Sequence, residues 1–236
     1  MVEVLPGLIE LKGVALNLLF PRFCVGCGRE GAFICNSCRS TLPRIELPIC
    51  PQCGIPQLNG TLCYRCVNRP SSIDGIRSPF RFEGAIREAV HQLKYHNLRA
   101  IAGSMALLLH RYLQENLLPG DVLVPVPLHP KRQRERGYNQ SSLLAMELSQ
   151  LQELPVDEKS LVREKYTLPQ ARTTSLEERQ RNIIGVFRCR GEGVKRKRVI
   201  LVDDVSTSGA TLNACAAVLK EAGASSVWGL VLAREI

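Results

Sequence analysis

The sequence predicts an α/β domain with a mainly parallel sheet, preceded by a small cysteine-rich module. Two observations carry this. From about residue 73 onward, short continuous apolar runs alternate with segments of helical periodicity. Strands of that kind are buried on both faces, as in parallel sheets covered by helices. Before that point, eight of the ten cysteines crowd between Cys24 and Cys66. A chain of 236 residues with 45% apolar content has room for two domains. That composition excludes a disordered or collagen-like chain.

The elements follow in order. Residues 8–20 have the apolar spacing of a short amphipathic helix (Leu8, Leu11, Val14, Ala15, Leu18, Leu19), closed by Pro21. The cysteine module occupies about 21–70, and Asn68–Ser72 reads as a linker. Ser78–Glu83 is expected as a strand, with Ala85–Tyr95 and Ile101–Leu117 as helices. Asp121–Pro127 is an apolar strand and Ser141–Leu151 a helix. Lys197–Asp203 is a second apolar strand, Thr211–Ala222 a helix that Gly223 can cap, and Ser226–Ala233 a last strand. The expected division is therefore 1–20, 21–70 and 71–236. Apolar stretches such as Val14–Phe20 are far shorter than a membrane span. The N-terminus carries Glu3 and Glu10 and lacks the basic start of a signal peptide, so a cytoplasmic location is expected.

A reducing compartment disfavours disulfides. The cysteines form four CxxC pairs: Cys24/Cys27, Cys35/Cys38, Cys50/Cys53 and Cys63/Cys66. A CxxC turn points both sulfurs at one ion, and two such turns complete a tetrahedral thiolate site. Two zinc ions are expected. The segment Cys24–Gly28 is repeated as Cys50–Gly54, and each copy is followed by a second pair. That repeat favours sequential pairing, although the spacing alone leaves crossed pairing open. Glycine after the second cysteine fits a turn with positive φ. With Phe23, Phe33 and Tyr64 as its only aromatics, the module cannot build much core, so zinc would supply its folding energy. Ligation by four sulfurs leaves no position for water, which makes both ions structural.

Val199–Thr211 reads VILVDDVSTSGAT. Four apolar residues make a buried strand, and Asp203 and Asp204 stand at its carboxyl end, where open α/β sheets bind ligands. A loop of small residues then enters a helix, whose free N–H groups and dipole suit an anion. The loop is suited to a phosphomonoester, and the carboxylates to vicinal hydroxyls or a metal-bound sugar. This stretch closely resembles the phosphoribosyl pyrophosphate (PRPP) signature of type I phosphoribosyltransferases. The resemblance implies that Asp203 and Asp204 hold the ribose hydroxyls. It also implies that Thr207, Ser208, Gly209, Ala210 and Thr211 cradle the 5′-phosphate, with magnesium accompanying PRPP. Ser206 and Ser208 stand at positions that vary in the signature.

Two further blocks extend the likeness: Pro125–Gln140 (PVPLHPKRQRERGYNQ) and Gln170–Phe187 (QARTTSLEERQRNIIGVF). With the cysteine-rich N-terminus after Leu18–Pro21, the chain resembles the ComF/GntX family of competence-associated proteins. In that family a double zinc ribbon precedes a domain of the type I phosphoribosyltransferase kind.

The formal net charge is +9. Lys131, Arg132, Arg134 and Arg136 follow the strand Asp121–Pro127, where the resemblance places a pyrophosphate loop. Arg136, beside Gly137, is the expected pyrophosphate ligand, since arginine there would neutralise the leaving group. His129 is the one histidine placed for chemistry. Arg172, Thr173, Arg179 and Arg181 fall where the resembling enzymes carry a flap, and Arg172 is a second candidate for charge stabilisation. A last cluster, Arg188–Arg198, is expected as a solvated surface turn or a contact for nucleic-acid phosphates.

Two functions are therefore expected to compete. One is a PRPP-using phosphoribosyltransferase associated with DNA uptake, its acceptor not encoded in any motif. The other is a non-catalytic PRPP sensor or scaffold whose zinc ribbons bind single-stranded DNA or a protein partner of the uptake machinery. Fold alone does not decide between them.

Overall fold

A computed structural model describes residues 21–165 and 185–236. The helix expected over 8–20 and the stretch with Arg172, Thr173, Arg179 and Arg181 lie outside those residues. The cysteine module contributes two helical turns, α1 (Asn36–Ser40) and α2 (Tyr64–Val67). Then come β1 (Gly75–Arg77), β2 (Phe80–Arg81), α3 (Gly84–Tyr95) and α4 (Ile101–Glu115). They are followed by β3 (Val122–Pro125), α5 (Pro130–Arg136) and α6 (Gln140–Gln152). The chain continues with β4 (Leu161–Arg163), β5 (Phe187–Cys189), β6 (Arg198–Ser206), α7 (Ala210–Glu221) and β7 (Ser226–Arg234).

The main sheet is parallel throughout, in the order β1–β7–β6–β3, with β2 also paired to β7. Ile200 stands between Leu123 and Trp228 in register. A separate antiparallel pair, β4–β5, joins Leu161 to Cys189. One core lies between the sheet and α3, α4 and α6, and includes Leu93, Leu109, Leu144 and Ile200. The other lies under α7, β4 and β5, and includes Leu201, Leu212, Phe187 and Val231. Both sheet faces are covered, which explains the continuous apolar runs of β3, β6 and β7.

Three boundaries differ from expectation. Of the strand expected at Ser78–Glu83 only Phe80–Arg81 forms, as β2; β1 precedes that span, and Pro79, which offers no N–H to the ladder, lies between the two. Gly75 in β1 is required: a Cβ there would come within 2.4 Å of the Trp228 ring. β6 does not end at Asp203. It continues to Ser206 because β7 runs on beside it, pairing Ala233 with Val205 and Arg234 with Ser206. The basic stretch after β3 is the short helix α5 rather than a loop. Pro130 at its start and Gly137, left-handed at φ +81°, at its end form a start and stop that the sequence did contain.

Candidate functional site

The two cysteine centres are built alike. In each, the first CxxC is a knuckle closed by glycine: Gly28 N donates to Cys24 O at 2.7 Å, and Gly54 N to Cys50 O at 2.9 Å. Both glycines have positive φ, +72° and +74°. The second CxxC of each begins a helical turn, with Cys35 and Cys63 as the caps of α1 and α2. Cys24, Cys27, Cys35 and Cys38 have sulfurs within 4.8 Å of one another, as do Cys50, Cys53, Cys63 and Cys66. The pairing is sequential.

The donor set fits zinc. Sulfur–sulfur distances of 3.6 Å (Cys27–Cys35) and 3.7 Å (Cys53–Cys63) are close to a tetrahedral edge. That edge is roughly 3.8 Å for Zn–S bonds of about 2.3 Å. Backbone N–H groups support the thiolates: Cys35 N donates to Cys24 Sγ at 3.3 Å, and Cys63 N to Cys50 Sγ at 3.4 Å. Burial pushes the Cys24 thiol up, but the N–H donors of Cys35, Gly26 and Cys27 together bring it down to about 6. Both centres are structural zinc sites.

At the carboxyl end of the sheet, β6 delivers the two acidic residues to different environments. Asp204 is 2% exposed, and its Oδ2 lies 2.8 Å from Lys94 Nζ at the end of α3. Asp203 Oδ1 accepts from Ser141 Oγ at 2.8 Å and from Asp204 N at 2.9 Å. Burial, then the neighbouring Asp204 charge, pushes the Asp203 carboxyl up to about 7, against the pull of Lys94. Asp203 is thus poised to change protonation near neutrality when a ligand alters its surroundings.

Thr207, Ser208 and Gly209 join β6 to α7. Gly209 caps the helix at φ +77°, and a Cβ there would approach Ile76 Cδ1 to 2.9 Å. A cleft of about 1020 Å³ runs along the 12-residue helix α7, from Ala210 at its amino end to Glu221, and Asp203, Asp204 and Arg136 are not among its lining residues. Thr207, Ser208, Gly209 and Ala210 line one side of that cleft, and Cys53 and Cys66 of the second ribbon line the other.

Arg136 ends α5 beside Gly137. Its Nη1 donates to Gln140 Oε1 at 2.5 Å, and its guanidinium lies 5.7 Å from the Tyr95 ring. His129 caps α5, its Nδ1 accepting from Lys131 N. The last turn of α3 ties these parts together: Leu93 O accepts from Tyr138 OH, Lys94 pairs with Asp204, and Tyr95 underlies Arg136. The structure thus links Arg136 and Gly137 to the acidic pair and leaves Arg172 outside the described residues. Lys94, Ser141 and Arg234 are the residues sequence reasoning missed. Each acts on a partner distant in sequence, and no local motif marks it. The Arg188–Arg198 cluster is largely neutralised on the surface: Arg188 and Arg190 pair with Glu164, Lys195 with Glu192, and Arg198 with Asp121.

Comparisons with known proteins agree with this architecture. Residues 15–67 match the double zinc ribbon domain, and residues 139–235 the phosphoribosyl transferase domain. The chain is 32% identical to DNA utilization protein YhgH of Escherichia coli K12, over 86% of this chain and 91% of that protein. It is 30% identical to competence protein F of Haemophilus influenzae, over 85% and 90%. It is 31% identical to competence protein ComFC of Bacillus subtilis, over 85% and 84%. With two Cys₄ zinc centres, a parallel sheet with a phosphate-type loop, and relatives matched along most of their length, the chain belongs to the ComF/GntX family of competence-associated proteins.

Proposed function

We propose that the chain binds magnesium–PRPP where the carboxyl end of β6 meets the amino end of α7 and transfers its phosphoribosyl group to an acceptor, as a cytoplasmic component of DNA uptake. The observation that carries this reading is the β6–loop–α7 unit. It sets two adjacent carboxylates, Asp203 and Asp204, beside a small-residue loop at a helix amino end. Asp203 accepts the ribose hydroxyls, with Asp204 held behind it by Lys94. Thr207, Ser208, Gly209, Ala210 and Thr211 cradle the 5′-phosphate. Arg136, beside Gly137, stabilises the departing pyrophosphate, and Arg172 is a second source of positive charge. Magnesium, when bound with PRPP, offsets the diphosphate charge. The chain's own contribution is positioning and charge stabilisation. The names of the competence and DNA utilization relatives support the link to DNA uptake.

The test is equilibrium binding of magnesium–PRPP to the wild type and to the Asp203→Asn, Asp204→Asn double variant. The wild type should bind at least about tenfold more tightly, in line with the loss of hydrogen bonds to charged groups. Equal, weak binding by both would overturn the assignment. Pyrophosphate release with nucleobases, amines or single-stranded DNA then identifies the acceptor. Tight binding without release across that set would instead select the sensor or scaffold function.

A further inference from the structure

Arg234, the last residue of β7, is 3% exposed, and it is the one arginine buried among the described residues. A guanidinium cannot discharge itself by losing a proton, so its charge must be met inside the protein. Its Nη1 donates to Ser206 Oγ at 3.0 Å, while its Nε has no hydrogen-bond partner. No carboxylate pairs with it among the described residues. Arg234 lines one cleft together with Cys53, Cys63 and Cys66 of the second ribbon, and the sulfurs of Cys53, Cys66, Cys50 and Cys63 oppose the downward pull of burial on its guanidinium. Four thiolates around Zn²⁺ leave the centre a net dianion, so the two groups are electrostatic complements.

A second contact runs in parallel. Ile76 N in β1 donates to Gln52 O of the Cys50–Cys53 knuckle at 2.7 Å. Arg77 Nη1 donates to Pro51 O of the same knuckle at 2.8 Å, its guanidinium stacked 4.8 Å from the Trp228 ring. Ile76 Cδ1 is in turn packed against Gly209 of the phosphate loop. The second knuckle therefore reaches the loop through Ile76 to Gly209, and its Cys53 shares a cleft with Arg234, which holds Ser206 at the end of β6.

We propose that the second Cys₄ centre is a positioning element of the phosphate loop, with Arg234 as the internal cation that offsets part of its charge and ties it to Ser206. The identity of the loop's ligand rests on the proposed function; the pairing of Arg234 with the zinc centre does not.

The experiment uses the full-length, zinc-loaded protein. Cysteine alkylation by N-ethylmaleimide in the presence of a chelator is followed residue by residue by mass spectrometry, and magnesium–PRPP affinity is measured in parallel. Arg234→Met should accelerate modification of Cys53 and Cys66 about tenfold and leave Cys27 and Cys38 within about twofold of wild type, as expected for loss of an outer-shell partner. Arg234→Lys should stay near the wild type, and PRPP affinity should fall in Arg234→Met. Unchanged rates at Cys53 and Cys66, or equal acceleration at both centres, would overturn the proposal. If Arg234→Met does not fold, Arg77→Met decides: selective acceleration at Cys53 and Cys66 supports the proposal, and its absence overturns it. A wild type that binds no PRPP would refute the ligand reading and leave the alkylation result to decide the rest.

Discussion

In the first ribbon, Phe33, Ile34 and Leu42 enter the core that α3 and α4 share with the sheet. Its exit segment, residues 43–45, makes an isolated antiparallel bridge to β2, with Arg81 N donating to Pro43 O and Ile45 N to Pro79 O. In the second ribbon Cys50, Gly54 and Cys63 are the buried residues, none of them a large apolar side chain, and Tyr64 is 85% exposed. That ribbon is attached by the backbone hydrogen bond from Ile76 N in β1 to Gln52 O and by the Arg77 guanidinium on Pro51 O. The two modules share a backbone design, but one is anchored by apolar burial and the other by polar contacts beside the cleft. The difference teaches that a repeated metal motif can serve two ends, the first as part of a core and the second as the wall of a site.

Zinc removal should expose that difference most strongly. Structural zinc contributes on the order of 10 kcal/mol to folding of such modules. Cys38→Ser should release the first ribbon and strip three apolar side chains from the core, lowering the melting temperature of the α/β domain by about 10 °C or more. Cys66→Ser should release the second ribbon and shift that temperature far less, while weakening magnesium–PRPP binding. Thermal melting followed by the fluorescence of Trp228, with zinc content determined in parallel, checks both. Equal melting shifts would show that the anchoring is the same after all.

The aromatic residues sharpen the same contrast without touching metal. Phe33→Ala should cost about 3–5 kcal/mol, the usual range for a buried aromatic. Tyr64→Ala should stay within about 0.5 kcal/mol, as surface substitutions do. Denaturant unfolding of both variants measures the gap. A large loss for Tyr64→Ala would mean that its exposed ring is covered by something outside the described residues.

Two cations offer a further comparison. Arg234, buried, shares a cleft with Cys53, Cys63 and Cys66, whereas Lys94, its side chain 21% exposed and so only partly buried, lies 2.8 Å from a carboxylate, Asp204. Lys94→Met would leave that carboxylate buried and unpaired, which typically costs about 3–5 kcal/mol. Adding Asp204→Asn should recover much of the loss, because the amide needs no counter-charge. No recovery in the double variant, judged by chemical denaturation, would mean that Lys94 acts through packing of its stem alone.

How much of this was legible in the sequence follows the range of the interactions. The ribbons and β3, β6 and β7 were legible because their signals are local: CxxC spacing and continuous apolar runs. The carboxyl end of β6 was not, because β7 extends it past two acidic residues that read as a strand end. Helix α5 was hidden by its charge, although Pro130 and Gly137 bracket it. Of the site, the loop and the acidic pair stood in one motif. Lys94 and Arg234 had no such context, because the charge they offset comes from other parts of the chain.

The acidic pair itself yields the mildest test, and its sign is opposite to that of most carboxylates. Asp203 is raised to about 7 by burial and then by Asp204, while Lys94, Ser141 Oγ and the Asp204 N–H oppose the rise. The folded protein therefore holds a proton on Asp203 that the unfolded chain has released across roughly pH 4 to 7. Stability contributed by that proton is full below the unfolded carboxyl range and is lost as pH rises to about 7. Asp203→Asn removes the titration, so its advantage should be a few degrees of melting temperature at pH 8 and should vanish near pH 4. The sulfur centres release zinc in acid, so the comparison is made between variant and wild type at each pH, with zinc content matched. In the wild type, magnesium–PRPP affinity should rise from pH 6 to 8 as Asp203 ionises, and Asp203→Asn should flatten that slope. A slope unchanged by the substitution would place the titrating group on the ligand rather than on β6.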